Sequence, residues 1–416
     1  MANSDMQLDG ETKQAALAMS AYNQGKAVAT APAQPVDWGA KQVCDVTLRE
    51  GQQASGAVFS QSSRMRVYES LMGLGIGQVQ CGYPGKYPED AETARLMRKT
   101  GGDVEIEGVA SVVHSNWRSE IGVTIASGVD VVHIIYPSSE LRLRVMGRSA
   151  DELVAHVYEA VQFAKAEGAK EITFCPTDTT RTSINVLEAV YRSAVEAGAS
   201  RVAIADTAGA ATPVGIMQIV NAVCQMVDVP VQVHCHNDLG LALANALAAL
   251  EMGADTVDAS VNGLGERAGN VALDELLVAL VALGQAIERY ELGGLLDLGE
   301  LVAEVSGTPI YRHKPYLGKD AYAHKLDQHV EALAVDVRVY EPIPPSLVGN
   351  RRSICVGLHT GPAIVSYKLE ELGLGVVGQG EREALAQRAR AQVRILGRDL
   401  TDTEFVALAT QFTHEG

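Results

Sequence analysis

From about residue 40, short runs rich in β-branched residues alternate with longer stretches of helical period, and this alternation is the strongest constraint on the fold. The runs read "QVCDVTL", "GQVQCGY", "VEIEGVASVV", "DVVHIIY", "EITFC", "RVAIAD", "PVQVHC" and "DTVDAS". Stretches such as "ADELVAHVYEAVQFAKAEGA" lie between them, and glycine closes several of these in "AEGA", "EAGA" and "EMGA". Strands joined by helical crossovers pair in parallel. Eight such units predict a closed (β/α)8 barrel over residues 38–285 rather than an open sheet, because neither GxGxxG nor a P-loop follows the first strand. In such a barrel the chemistry belongs where strands end and their following loops begin.

Composition narrows the class further. Hydrophobic residues make up 47% of the 416 positions and aromatics only 5%, so the interior is built mainly from Ala, Val, Leu and Ile, as helix-on-sheet packing prefers. A formal charge of -17 excludes nucleic acid as a partner, since duplex affinity comes largely from Lys and Arg neutralising phosphates. Cys44, Cys81, Cys175, Cys224, Cys235 and Cys355 form no CxxC pair, which fits the reduced thiols of a cytoplasmic protein. No apolar run approaches the ~18 to 20 residues that span a bilayer, and the N-terminus has no basic segment followed by an apolar one, so neither a membrane nor export is expected. Residues 1–37 read as a disordered, mobile extension. Beyond the barrel, residues 286–371 read as linker helices and a lid subdomain with clustered His and Tyr, and residues 372–416 as an amphipathic helical subdomain.

The segment "VQVHCHNDLG" ends the seventh strand with His234 and His236. Residues two apart on a strand share a face, so both imidazoles can reach one ion; they can equally be core histidines satisfied by neighbouring carbonyls. "CDVTLREGQQ" brings Arg49 and Glu50 to the rim after the first strand, and "VNGLGERAGN" brings Glu266 and Asn270 after the eighth. The eighth strand alone separates the first from the seventh in a closed ring, so a carboxylate, two imidazoles and an amide oxygen converge if the ring closes. Taken alone, Arg49 and Glu50 read as a solvated surface pair.

"DVTLREG", "HCHNDLG" and "GLGERAGN", followed by "AHKLDQH", "VYEP" and "LVGNRRSICVGLHTG", resemble in order and spacing the homocitrate synthase and 2-isopropylmalate synthase family of metal-dependent barrel acyltransferases. The resemblance runs from about residue 41 to 375. It implies a Claisen-type condensation of acetyl-CoA with a 2-oxo acid, followed by thioester hydrolysis. By the same resemblance Glu50, His234 and His236 are ligands of a Zn, Mn or Mg ion, with Asn270 in or beside the coordination sphere. Arg49 would hold the carbonyl oxygen of the oxo acid. Gln53, His114 and Thr207 would contact substrate, and His329 and Tyr340 would act as base and neighbouring hydroxyl. The family's lid usually reaches over a partner subunit, which implies a homodimer with the lid shared between subunits.

The chain departs from the homocitrate synthase pattern on its fifth strand. Thr173 stands for an arginine and Cys175 for a serine, both at acceptor-binding positions, and Thr177 for an acid, which leaves Glu266 or a water to complete the proton relay. Gln80 replaces a glutamate and "LDQ" a "SGI". A missing arginine removes a bidentate carboxylate contact, so a related synthase acting on another 2-oxo acid, such as an alkylmalate or phosphonomethylmalate synthase, is an alternative. A lyase or aldolase on the same barrel and a non-catalytic descendant are further readings. An end at residue 416 leaves no room for the regulatory domain of many isopropylmalate synthases, so feedback by leucine is not expected.

Overall fold

The computed structural model describes residues 41–283, 289–375 and 377–415; the extension expected over 1–37 lies outside them. Contacts divide the chain into two units, one ending at Ile310 and one beginning at Tyr311.

In the first unit, β1 (Gln42–Asp45), β2 (Gln78–Gly82), β3 (Glu105–Ser111), β4 (Val131–Pro137), β5 (Glu171–Thr177), β6 (Arg201–Asp206), β7 (Val231–Cys235) and β8 (Thr256–Ala259) close into a parallel barrel in sequence order. The ring is sealed by β1 pairing with β8, Cys44 opposite Asp258. Helices α1 (Gln61–Gly73), α2 (Pro88–Thr100), α3 (Trp117–Ala126), α4 (Glu140–Met146), α5 (Ala150–Ala166), α6 (Ile184–Ala197), α7 (Pro213–Met226), α8 (Ala242–Met252) and α9 (Leu273–Ala282) fill the crossovers. A further helix, α10 (Leu295–Ser306), contacts α1, and Asn262 Nδ2 donates to Gly299 O at 2.8 Å. Gly198 leaves α6 at φ 117°, a left-handed value that a Cβ resists.

Alternation along each strand sorts the side chains. Phe174 of β5 faces outward, edge-on to Tyr191 of α6 with ring centroids 6.4 Å apart. The inward face carries buried polar groups: Gln80, Glu107, His133, Thr173, Gln232, His234 and Asp258. A barrel interior this polar persists only if its groups satisfy one another.

On the opposite face of β1, Asp45 is a buried acid satisfied locally at the seam with β8. Its carboxylate accepts from Thr47 N at 2.9 Å and Thr47 Oγ1 at 2.8 Å, and Thr47 Oγ1 in turn accepts from Val261 N at 2.9 Å. Burial pushes the Asp45 carboxyl up to about 7 despite the Thr47 hydrogen bonds. Between the unfolded value near 4 and about 7, the folded chain keeps a proton that the unfolded chain has released, so this group's contribution to stability falls as pH rises and levels off above about 7. Chemical denaturation of the wild type and of Asp45→Asn across pH 4 to 8 should show the difference between them changing by at most about 1.4 kcal/mol per pH unit. A difference independent of pH would remove this account.

In the second unit, β9 (Ala323–His324) pairs in parallel with β10 (Ser353–Ile354). Helices α11 (Asp327–Val335), α12 (Pro362–Glu371), α13 (Gln379–Leu396) and α14 (Asp402–Glu415) gather around Val365, Leu369, Leu385, Val393 and Phe405. Asp327, the centre of the divergent "LDQ", accepts from Gly361 N at 2.9 Å and Ile364 N at 2.8 Å. It therefore supplies acceptors for the free amides that begin α12.

Candidate active site

β1 stops at Asp45, four residues before Arg49. The backbone then turns, with Glu50 N donating to Val46 O at 2.7 Å, and this turn rather than the strand aims Arg49 and Glu50 over the barrel mouth. On β7 the period of two sends Gln232, His234 and His236 inward. His236, just past the strand, forms an isolated antiparallel bridge with Asn270 in the loop after β8. These three segments bring the site together.

Donor atoms of Glu50, His234 and His236 lie within 4.8 Å of one another, and all three residues are buried. Glu50 Oε1 is 3.0 Å from His236 Nε2, and Glu50 Oε2 is 3.9 Å from His234 Nε2. The other ring nitrogens are occupied: His234 Nδ1 lies 2.8 Å from Asp258 Oδ2, and His236 Nδ1 lies 3.2 Å from Asp206 O. With an ion bound, each Nδ1 would donate there and leave both Nε2 lone pairs to the metal. Burial holds the His234 imidazole below its ordinary value, against the pull of its Asp258 hydrogen bond. Burial also opposes ionisation of Glu50, but Arg49, the His236 hydrogen bond and the two imidazoles together hold its carboxyl well below the usual range.

Asn270 completes the group. Its Nδ2 is 3.1 Å from His234 Nε2, while its Oδ1 is buried without a hydrogen-bond partner among the described residues. Gly265 makes room for that oxygen, because a Cβ there would sit 1.9 Å from it. A carboxylate and two imidazoles, with an amide side chain beside them, form a mixed N/O set suited to a divalent cation of the Zn, Mn or Mg type. Donors held about 2 Å from one ion must themselves lie about 3 to 4 Å apart, close to the spacings seen here.

A second layer supports the first. Arg49 pairs with Glu50 and donates Nε to Gln80 Oε1 at 2.8 Å. Gln80 Nε2 donates to Glu107 Oε2 at 2.7 Å, and Glu107 Oε1 lies 2.8 Å from His133 Nδ1. Burial disfavours the Glu107 anion, yet the His133 charge and hydrogen bond, with help from Arg201 and Gln80, lower its carboxyl to about 2. Asp258 holds both Gln232 Nε2, at 2.6 Å, and His234. Arg49 and His234 are thus fixed from below, as ligand and substrate-binding side chains generally are.

These residues open onto a cleft of about 210 Å3 that Gln53, Cys175, Thr177, Thr207 and Glu266 also line. Thr207 Oγ1 accepts from Asp178 N at 2.8 Å, and Glu266 stands half-exposed, 3.5 Å from Arg267. Thr173 does not line the cleft: it is fully buried one inward position before Cys175, its hydroxyl without a partner among the described residues. Nor does the structure bring His114 there; it is exposed in the loop after β3. Sequence reasoning assigns no role to Tyr83, His133, Arg142 or Asp258, yet all four line the cleft. In the second unit His329 and Tyr340 stack with ring centroids 4.0 Å apart. Beside them His324 Nε2 lies 2.9 Å from Glu341, which also accepts Arg352 Nε at 2.7 Å.

A closed parallel barrel carrying "DVTLREG", "HCHNDLG" and "GLGERAGN" at three adjoining strand ends defines the class of protein. Residues 40–302 match the HMGL-like family model and residues 316–397 the model for a homocitrate synthase post-HMGL domain-like segment. The chain belongs to the HMGL-like family. It is 32% identical over 370 residues to a 2-isopropylmalate synthase of Methanocaldococcus jannaschii, covering 88% of this chain and 70% of the relative. It is 35% identical over 356 residues to the homocitrate synthase AksA of Methanopyrus kandleri, covering 85% and 87%. A hydroxymethylglutaryl-CoA lyase from Pseudomonas aeruginosa shares the fold, with a TM-score of 0.56 at 21% identity over 65% of this chain and 94% of the lyase. Among the described residues no helix is long and apolar enough to cross a membrane.

Proposed function

We propose that the chain condenses the methyl carbon of acetyl-CoA with the carbonyl carbon of a 2-oxo acid and then hydrolyses the thioester, giving a 2-hydroxy-2-(carboxymethyl) acid and CoA. The observation that carries this reading is the convergence of Glu50, His234 and His236 beside Arg49 at the barrel mouth, with the Asn270 side chain against His234. The post-barrel segment at 316–397 supports a synthase over a barrel lyase.

Glu50, His234 and His236 hold a divalent cation, with Asn270 as a further donor. That cation supplies Lewis acidity toward the oxygens of a 2-oxo acid. Arg49, locked by Glu50 and Gln80, directs its remaining N–H groups at the carbonyl oxygen and stabilises the negative charge that gathers there as the carbon is attacked. Thr207 and Gln53 contact the acceptor from the cleft wall, and Cys175 contacts it from β5. His329 takes a proton from the thioester methyl group, while the Tyr340 hydroxyl stabilises the enolate that results. Glu266, which lines the cleft, returns a proton to the new tertiary alkoxide or activates the hydrolytic water in this reading. Two copies of the chain form the working enzyme in this reading.

Thiol release by the metal-loaded protein, followed with acetyl-CoA and a panel of 2-oxo acids, tests the proposal. Turnover with at least one acceptor, abolished by chelation and restored by added metal, is expected. Undiminished turnover after exhaustive chelation, or no thiol release with any acceptor, would overturn it.

A further inference from the structure

We infer that Arg142 is a specificity residue that binds a second anionic group, a carboxylate or a phosphonate, at the distal end of the acceptor. The inference rests on the condensation reading only for the identity of the ligand as a 2-oxo acid; the anion site itself is read from the cleft.

Each other acid, imidazole and guanidinium lining the cleft has a partner among the described residues. Arg49 is matched by Glu50, His133 by Glu107, His234 by Asp258, and Glu266 lies within reach of Arg267. Arg142, on α4 after β4, lines the same cleft, and its guanidinium makes no hydrogen bond or ion pair among the described residues. Its backbone N donates to Ser139 Oγ at 3.4 Å. The helix offers no acid one turn away, since Ser138 and Met146 stand at the positions four residues on either side.

The strand that could have supplied a carboxylate does not. β4 and β5 are tied at their ends by Ser138 N donating to Thr177 O at 3.0 Å, and the β5 residues at the cleft are the neutral Cys175 and Thr177. Tyr83, Val109 and Ile135 complete that wall without adding a charge at neutral pH. Arg142 is an exposed residue of the cleft lining, and its permanent charge and planar fork suit it to bind carboxylate or phosphonate oxygens in pairs. The acceptor's own 2-oxo carboxylate belongs with the Glu50, His234 and His236 group. Arg142 is therefore left for a charge at the other end of the molecule.

Isothermal calorimetry in magnesium-containing buffer separates this from the condensation reading. 2-Oxoglutarate, oxaloacetate and phosphonopyruvate are compared with pyruvate and 2-oxoisovalerate, and CoA is titrated alongside. The wild type should bind at least one doubly anionic acid at least tenfold more tightly than the singly charged pair. In Arg142→Gln that preference should fall at least tenfold, and in Arg142→Lys it should be partly kept. The preferred acid distinguishes a distal carboxylate from a phosphonate. No preference for a second anionic group in the wild type, equal losses for all five acids in the variant, or a loss confined to CoA would each overturn the inference. If the preference stands while none of these acids releases thiol from acetyl-CoA, the anion site survives and the condensation reading does not.

Discussion

Glu50→Gln is expected to lose divalent metal by at least about 100-fold in affinity and thiol release by at least about 1000-fold, because one substitution removes the only anionic donor of the set. Glutamine keeps the shape and one carbonyl oxygen, so steric loss is excluded as the cause. It also leaves the Arg49 guanidinium inside the site without its carboxylate, at a cost of about 3 kcal/mol or more in stability. Metal content by elemental analysis, turnover, and thermal unfolding should therefore fall together, with the secondary structure retained at 25 °C. A Glu50→Gln chain that still bound stoichiometric metal and turned over normally would show that the buried carboxylate serves only to neutralise Arg49.

Arg49→Lys separates the two halves of the site. Lysine preserves the charge beside Glu50 but lacks the fork that reaches Glu50 and Gln80 at once, and its ammonium cannot hold a carbonyl oxygen in the same plane. We expect kcat to fall about 100- to 1000-fold, the usual loss when one preorganised donor is removed from a developing oxyanion. Metal content should stay close to that of the wild type. Loss of metal in proportion to activity would mean that Arg49 organises the ligands and does not act on substrate. The Gln80 side chain links Arg49 to the Glu107 and His133 pair, so a smaller change at Gln80 should move kcat in the same direction.

The barrel was legible because its signal is periodic and repeated. Each strand is a short β-branched run, and the glycines that end α5, α6 and α8 stand where "AEGA", "EAGA" and "EMGA" put them. The inward pairing of His234 with His236 follows from strand period alone, and the convergence with Glu50 follows from ring closure. Asp258 was not legible, since an acid within "TVDA" looks the same whether it faces water or the interior. The missing information was register: Gln232 lies opposite Thr256, which sets His234 level with Asp258.

His133 was not legible for a similar reason. Its partner Glu107 comes from the neighbouring strand, and no spacing within either strand reveals that the two share a hydrogen bond. Arg142 lies one helical turn beyond a strand end, where a charged residue is normally exposed, as it is here, and only the three-dimensional structure shows that it also lines the cleft. Resemblance brought His114 and Thr173 toward the acceptor; the structure leaves one exposed on a loop and the other a layer below the cleft floor. Local chemistry carries over from motif to motif more faithfully than the depth at which a side chain sits.

Glu50 and His236 are separated by 186 residues, and the hydrogen bond between them spans the place where the ring of strands meets itself. An ion seated there would act as a rivet as well as a reagent, clasping the first stave of the barrel to the last two. Because the unfolded chain offers no such grip, loading at 100 times the dissociation constant would add about 2.7 kcal/mol to the closed form. Metal supply would then set how long the enzyme lasts in addition to how fast it works.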